Sequence, residues 1–120
     1  MPSTIQSLRQ HAFKEQGGAC CYCNCLMWQR SPDELPCKAP SLRAARQLLC
    51  TAEHLQARSA GGGNTAKNIA AACARCNRCR HKRRVPLGPP AFRGHVLRRM
   101  STGRWHAKWV HAACVQMKRS

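Results

Sequence analysis

The chain has 120 residues, a formal net charge of +17 and ten cysteines, and its 43% hydrophobic content is largely Ala and Cys. This is one domain's length with a small core, and no apolar run is long enough to span a bilayer. All four acids (Glu15, Asp33, Glu34, Glu53) lie in the first 53 residues, and fifteen of the 21 Lys and Arg follow them. The second half therefore repels itself unless a polyanion covers it, which makes nucleic acid the leading partner. Residues 1–16 lack the pattern of a secretory signal, so the thiols are read as reduced and the protein as cytoplasmic, in a bacterial or phage-like setting.

Ser3-Thr4-Ile5-Gln6 has the form of a capping box, and Ile5, Leu8 and Ala12 share a face before Gly17-Gly18. The spacing predicts a helix over about 4–16. Cys20 to Cys25 reads as a knuckle turn, and Ser31 through Pro40 as an irregular connection rich in breakers. Ser41 caps a predicted short helix, Leu42 to Leu48, with Leu42, Ala45 and Leu49 on one face. A strand over Leu49 to Leu55, a turn through Gly61-Gly62-Gly63-Asn64 and a return strand over Asn68 to Ala72 come next. Intrinsic propensity alone would make Ala70-Ala71-Ala72 helical. A basic helix follows, Ala74 to Arg84, which Pro86 and Pro89-Pro90 end. Beyond Ala91, Trp105, Trp109, Ala113 and Met117 fall near helical spacing and predict a terminal amphipathic helix.

Cys20 and Cys23 form one Cys-x-x-Cys pair, and Cys73 and Cys76 a second. Together they offer zinc four sulfurs in a closed tetrahedron, the arrangement of a structural site. Cys21, Cys25 and Cys79 leave other ligand choices open. Cys37, Cys50 and Cys114 read as small buried hydrophobes.

Glu53-His54, Asn68 fourteen positions after the histidine, and Asn77 closing the second pair stand at fixed offsets. In this the segment resembles the HNH endonuclease family, over roughly residues 17–82, in a variant with Asn at the last motif position. The resemblance implies an α+β fold with a zinc-stapled, treble-clef-like ββα-metal core and flanking helices, and it is the resemblance that makes Asn68 to Ala72 an extended return strand against the helical propensity of Ala70-Ala71-Ala72. It divides the chain into an N-terminal helix (1–16), a nuclease domain with structural zinc (17–84) and a basic extension (85–120). It also implies hydrolysis of DNA to 5′-phosphate and 3′-hydroxyl ends. Sequence preference is expected to be weak, because nothing beyond the catalytic core is large enough to read many bases directly.

Under this resemblance His54 is the general base, since an imidazole can take a proton from water near neutral pH. Glu53 and Asn77 hold one divalent cation, and two oxygen ligands suit Mg²⁺ or Mn²⁺. Asn68 holds the loop that fixes the imidazole. Strand alternation would send Glu53 and His54 to opposite sides, so a bulge or strand end is needed to bring them together. Arg58, Arg75, Arg78, Arg80, Lys82, Arg83 and Arg84 are the candidate phosphate contacts. One site per chain predicts nicking unless a homodimer or a larger partner supplies a second. The alternatives are a non-catalytic zinc module that binds nucleic acid, and a nuclease that acts on RNA or depends on a partner.

Overall fold

The computed structural model describes residues 4–112. Helix α1 (Ile5–Glu15) is capped by Thr4, whose hydroxyl accepts from the Ser7 N–H at 3.0 Å. The cap expected at Ser3 thus falls one residue later, on the side chain that reaches the free amide. Leu8 and Ala12 are buried beneath the helix, and Gln16 ties its end to the sheet by exchanging hydrogen bonds with both backbone groups of Ala71.

Strands β1 (Cys50–His54) and β2 (Ile69–Cys73) form an antiparallel hairpin with Glu53 opposite Ala70 and His54 opposite Ile69. Ala70 to Ala72 are therefore extended despite their helical propensity: pairing with β1 and burial of Ala71 and Ala72 decide the matter. Ahead of the hairpin, α2 (Leu42–Ala45), capped by Ser41, runs into a 3-10 turn over Arg46–Leu48. Ala45 and Leu48 point inward, whereas Leu42, expected on the buried face, is 57% exposed. The breaker-rich stretch contains a 3-10 turn at Pro32–Glu34 with a complete capping box between Ser31 and Glu34.

The basic helix α3 (Ala74–Arg80) follows β2 directly and is four residues shorter than expected. It stops where Arg80 turns its side chain back to the hairpin, and Lys82, Arg83 and Arg84, exposed and with no acid beside them, have no packing to hold a further turn. A larger correction concerns the prolines. Pro89 and Pro90 begin a helix, α4 (Pro89–Ser101), instead of merely ending one, because the first helical positions need no amide hydrogen. Trp105 lies beyond α4 in a turn and is buried. Residues 108–112 are helical again, and the expected positions Ala113, Cys114 and Met117 lie outside the described residues.

Phe92 and Val96 of α4, with Trp105 and Val110, join Tyr22, Leu48, Ala71 and the knuckle cysteines in one core. The result is a hairpin followed by a helix around a four-cysteine cluster, flanked by helices.

Candidate nuclease site and zinc cluster

Two Cys-x-x-Cys pairs 49 residues apart meet at the head of α3. The sulfurs of Cys20, Cys23, Cys73 and Cys76 all lie within 4.8 Å of one another, with all four residues buried. Cys23 and Cys73 are 3.9 Å apart at sulfur. Zn–S bonds of about 2.3 Å in a tetrahedron require sulfurs about 3.8 Å apart, so the cluster fits zinc. Backbone amides add to the fit: those of Tyr22 and Cys73 point at Cys20 Sγ at 3.4 and 3.3 Å, and that of Cys76 at Cys73 Sγ at 3.4 Å.

Burial opposes ionisation of Cys20, but hydrogen bonds from Cys21, Cys23, Cys73 and Cys76 outweigh it and hold that thiol well below its ordinary value. The bond to Cys20 pushes Cys23 and Cys73 well up, and burial pushes Cys76 up. Four thiolates at once require a cation among them.

Cys21 and Cys79, open as alternatives, are outside this set. Cys25 gathers with Cys23 and His106 in a second group. His106 Nε2 is 3.3 Å from Cys23 Sγ, and Trp105 Nε1 donates to Cys76 Sγ at 3.3 Å. Burial, with Arg75 nearby, pulls His106 down to about 4, so its ring is neutral at pH 7. Cys50, read as a buried hydrophobe, is one, and burial pushes its thiol up to about 11.

A cavity of about 290 Å³ lies beside the cluster, lined by Glu53, His54, Ala57, Arg58, Ser59, Asn77 and His81. His54 is the last residue of β1, so a strand end satisfies the requirement that it share a space with Glu53. Glu53 is fully buried. Its Oε2 accepts from the Tyr22 hydroxyl at 2.9 Å and from Arg80 Nη1 at 3.1 Å, while Oε1 lies 2.8 Å from His81 Nε2. Burial, followed by the field of Glu53, raises Tyr22 far above an ordinary phenol, which keeps it a donor.

His54 Nε2 is 2.8 Å from Asn64 Oδ1 and 3.3 Å from Arg58 Nε. One nitrogen cannot donate to the amide oxygen and accept from the guanidinium together. The shorter contact favours a proton on Nε2 shared with Asn64, which leaves Nδ1 bare as the basic nitrogen. Asn68 acts one step away: Oδ1 accepts from the Gln56 N–H at 2.8 Å, and Nδ2 donates to the carbonyls of Gln56 and Gly63 at 3.1 and 2.9 Å. It clasps the loop after His54 and leaves the ring to Asn64. Asn77 lies inside α3 and is no helix cap. Its Nδ2 donates to Thr51 Oγ1 and the Ala52 carbonyl, both at 3.0 Å, which fixes the amide plane with its oxygen on the other side.

The seven basic candidates separate. Arg58, Arg78, Lys82, Arg83 and Arg84 are exposed. Arg80 is 4% exposed and spends its guanidinium on Glu53 and on the carbonyls of His54, Leu55 and Leu87, so it is a structural residue and no part of a phosphate track. Arg75 stacks 5.0 Å above the Trp105 ring. Sequence reasoning missed Tyr22, Asn64 and His81. His81 alone left a trace, four positions after Asn77 on the same helical face.

Residues 37–83 match the family model HNH endonuclease, and this stretch of the chain is an HNH endonuclease domain. The match begins after the first cysteine pair, which the fold nevertheless joins to the second. No curated protein and no solved structure gives a match.

Proposed function

We propose that the chain is a metal-dependent endonuclease that hydrolyses DNA phosphodiester bonds, with His54 as the general base. The observation that carries this reading is the common cavity of Glu53, His54 and Asn77, in which a fully buried carboxylate is braced at Oε2 by two donors and sets its other oxygen against the part-exposed His81 ring. An acid costs several kcal/mol to bury without a role for its charge. Glu53 Oε1 and Asn77 Oδ1 are the oxygens that would hold the divalent cation. When bound, a cation such as Mg²⁺ or Mn²⁺ neutralises the scissile phosphate and stabilises the departing oxygen.

The chain's own residues do the rest. Asn64 holds the Nε2 proton of His54, and Nδ1 accepts a proton from water as the water oxygen bonds to phosphorus. The phosphorus–O3′ bond breaks, and the departing oxygen takes a proton from solvent, giving a 5′-phosphate and a 3′-hydroxyl. Asn68 keeps the loop that carries Asn64 and Arg58 in register with His54. Arg58, at the cavity rim, and Lys82, Arg83 and Arg84 beyond α3 supply positive charge for the flanking phosphates. The four cysteines hold zinc as a structural ion and set the base of α3. One cavity per chain gives nicks; a second copy across the duplex would give breaks.

The test is nicking of supercoiled plasmid with Mg²⁺, Mn²⁺ or EDTA, run beside His54→Ala at matched zinc content. Cation-dependent nicking that the variant loses is the expected result. Binding without cleavage under every condition would replace the enzyme with a zinc-held nucleic-acid-binding module.

A further inference from the structure

We propose that Trp105 and His106 form an outer shell of the zinc centre: their ring N–H groups donate to Cys76 and Cys23, and by doing so they slow the loss of the metal. Both residues lie beyond the stretch 37–83 that matches the family. The inference rests on zinc at Cys20, Cys23, Cys73 and Cys76, and it makes the basic extension a working part of that centre.

Nitrogen donors reach the cluster from two sources. Backbone amides serve the first cysteine of each pair: those of Tyr22 and Cys73 point at Cys20 Sγ, and that of Cys76 points at Cys73 Sγ. Side chains serve the second cysteine: Trp105 Nε1 stands 3.3 Å from Cys76 Sγ, and His106 Nε2 stands 3.3 Å from Cys23 Sγ. Every sulfur of the set therefore meets at least one nitrogen. A zinc dication with four thiolates is a net anion, and the four cysteines are at most 2% exposed, so water does not solvate it. A buried ion needs such donors, and hydrogen bonds to an ion are roughly twice as strong as neutral ones.

Packing aims both donors. Phe92 and His95 of α4 meet the Trp105 ring edge to face at centroid separations of 6.0 and 5.9 Å, and the Arg75 guanidinium lies 5.0 Å above it. The indole cannot turn its N–H away without breaking these contacts. The backbone at His106 is tied down in turn, its N–H donating to His111 Nε2 at 2.8 Å.

His106 has a rival role as a metal ligand, since it gathers with Cys23 and Cys25. The far side of the ring argues against that role, because Nδ1 is buried with no hydrogen-bond partner. A histidine that binds metal through Nε2 carries its proton on Nδ1 and almost always donates it to an acceptor. A histidine that donates from Nε2 leaves only a lone pair on Nδ1, which is the lesser loss in a buried place. For Trp105 the question does not arise, because an indole N–H only donates.

The experiment follows zinc release to a coloured chelator from the zinc-loaded, full-length protein in wild type, Trp105→Phe, His106→Leu and His106→Gln. Circular dichroism checks that each is folded, and X-ray absorption reads the atoms bonded to zinc. Expected are four sulfurs around zinc in wild type, release roughly tenfold faster in Trp105→Phe and in His106→Leu, and a slow rate restored in His106→Gln, whose amide can donate from nearly the same place. Release at the wild-type rate in either Trp105→Phe or His106→Leu overturns the proposal. A nitrogen among the zinc ligands of wild type, or release from His106→Gln as fast as from His106→Leu, also overturns it. A wild-type protein that holds no zinc at the four sulfurs removes the centre itself and the outer shell with it. If the variants do not fold, wild type loaded with ¹¹³Cd decides: the ring N–H protons of Trp105 and His106 must show scalar coupling to the metal through sulfur, and uncoupled protons reject the proposal.

Discussion

Nη1 of Arg80 meets Oε2 of Glu53 at 3.1 Å, and the two side chains are 3% and 1% exposed. Each is an ion that would be intolerable in that place without the other. Removing one partner of a buried pair costs about 3–5 kcal/mol because the remaining charge is stranded. Arg80→Met is accordingly expected to lower the unfolding free energy of the zinc-loaded protein by that amount in urea, and Arg80→Lys by less. A loss under about 1 kcal/mol would mean that the two side chains do not act as a buried ion pair.

Gly62 is the loop position where a side chain has no room. A Cβ there would stand 1.8 Å from the Gln56 carbonyl oxygen and 2.9 Å from Asn68 Nδ2, whereas at Gly63 it would meet nothing within 4 Å. Gly62→Ala must push the Gln56 backbone away and break the Asn68 clasp. We expect it to cost about 1–3 kcal/mol and to cut nicking sharply, while Gly63→Ala leaves both near wild type. Equal behaviour of the two glycines in thermal melts and nicking assays would remove the clasp from the account.

Zinc loading has a proton cost whose sign is fixed by the cluster. With Cys20 held low and Cys23, Cys73 and Cys76 held high in the metal-free chain, three thiols keep their protons at neutral pH. Zinc must displace them, so its apparent affinity falls as pH is lowered, and binding releases protons. Calorimetry in buffers of different ionisation enthalpy counts them. Cys73→Ser or Cys76→Ser should lose the metal and the fold, whereas Cys21→Ser and Cys79→Ser should keep one zinc per chain.

Among the basic residues, exposure decides which ones DNA can feel. Arg83→Ala and Arg84→Ala should each weaken binding to any sequence and reduce the salt slope by about 1. Arg80→Met, if folded, should leave the slope unchanged. A slope that responds to Arg80 would mean that its guanidinium leaves Glu53 when DNA arrives.

How much could be read beforehand depended on whether a feature was local. The two cysteine pairs were legible because the ligands of each sit three positions apart, whereas the return strand was legible only through the family resemblance, against the local helical propensity of Ala70 to Ala72, and burial along the two strands does not alternate. Glu53 and His54 reach one cavity through a strand end, which the need for convergence anticipated without locating it. Arg80 could not be read as buried: it stands in a run of bases, and only the fold brings the Glu53 carboxylate from 27 residues away to it. Pro89-Pro90 looked like a stop because proline forbids a helix interior equally well from either side of a boundary. Asn64 was visible only as a turn residue, since its bond to His54 depends on how tightly the glycines fold.

Helix α3 has seven residues, far below the roughly 12 at which isolated helices become even marginal in water. It carries two of the four clustered cysteines at its head and Asn77 further along, with His81 as its cap. The helix therefore has no standing of its own: it persists because sulfur and core hold its first turn. An oxidant that takes those thiolates would remove the footing of Asn77 and His81 without reacting with either, and the cavity would be disarmed from behind.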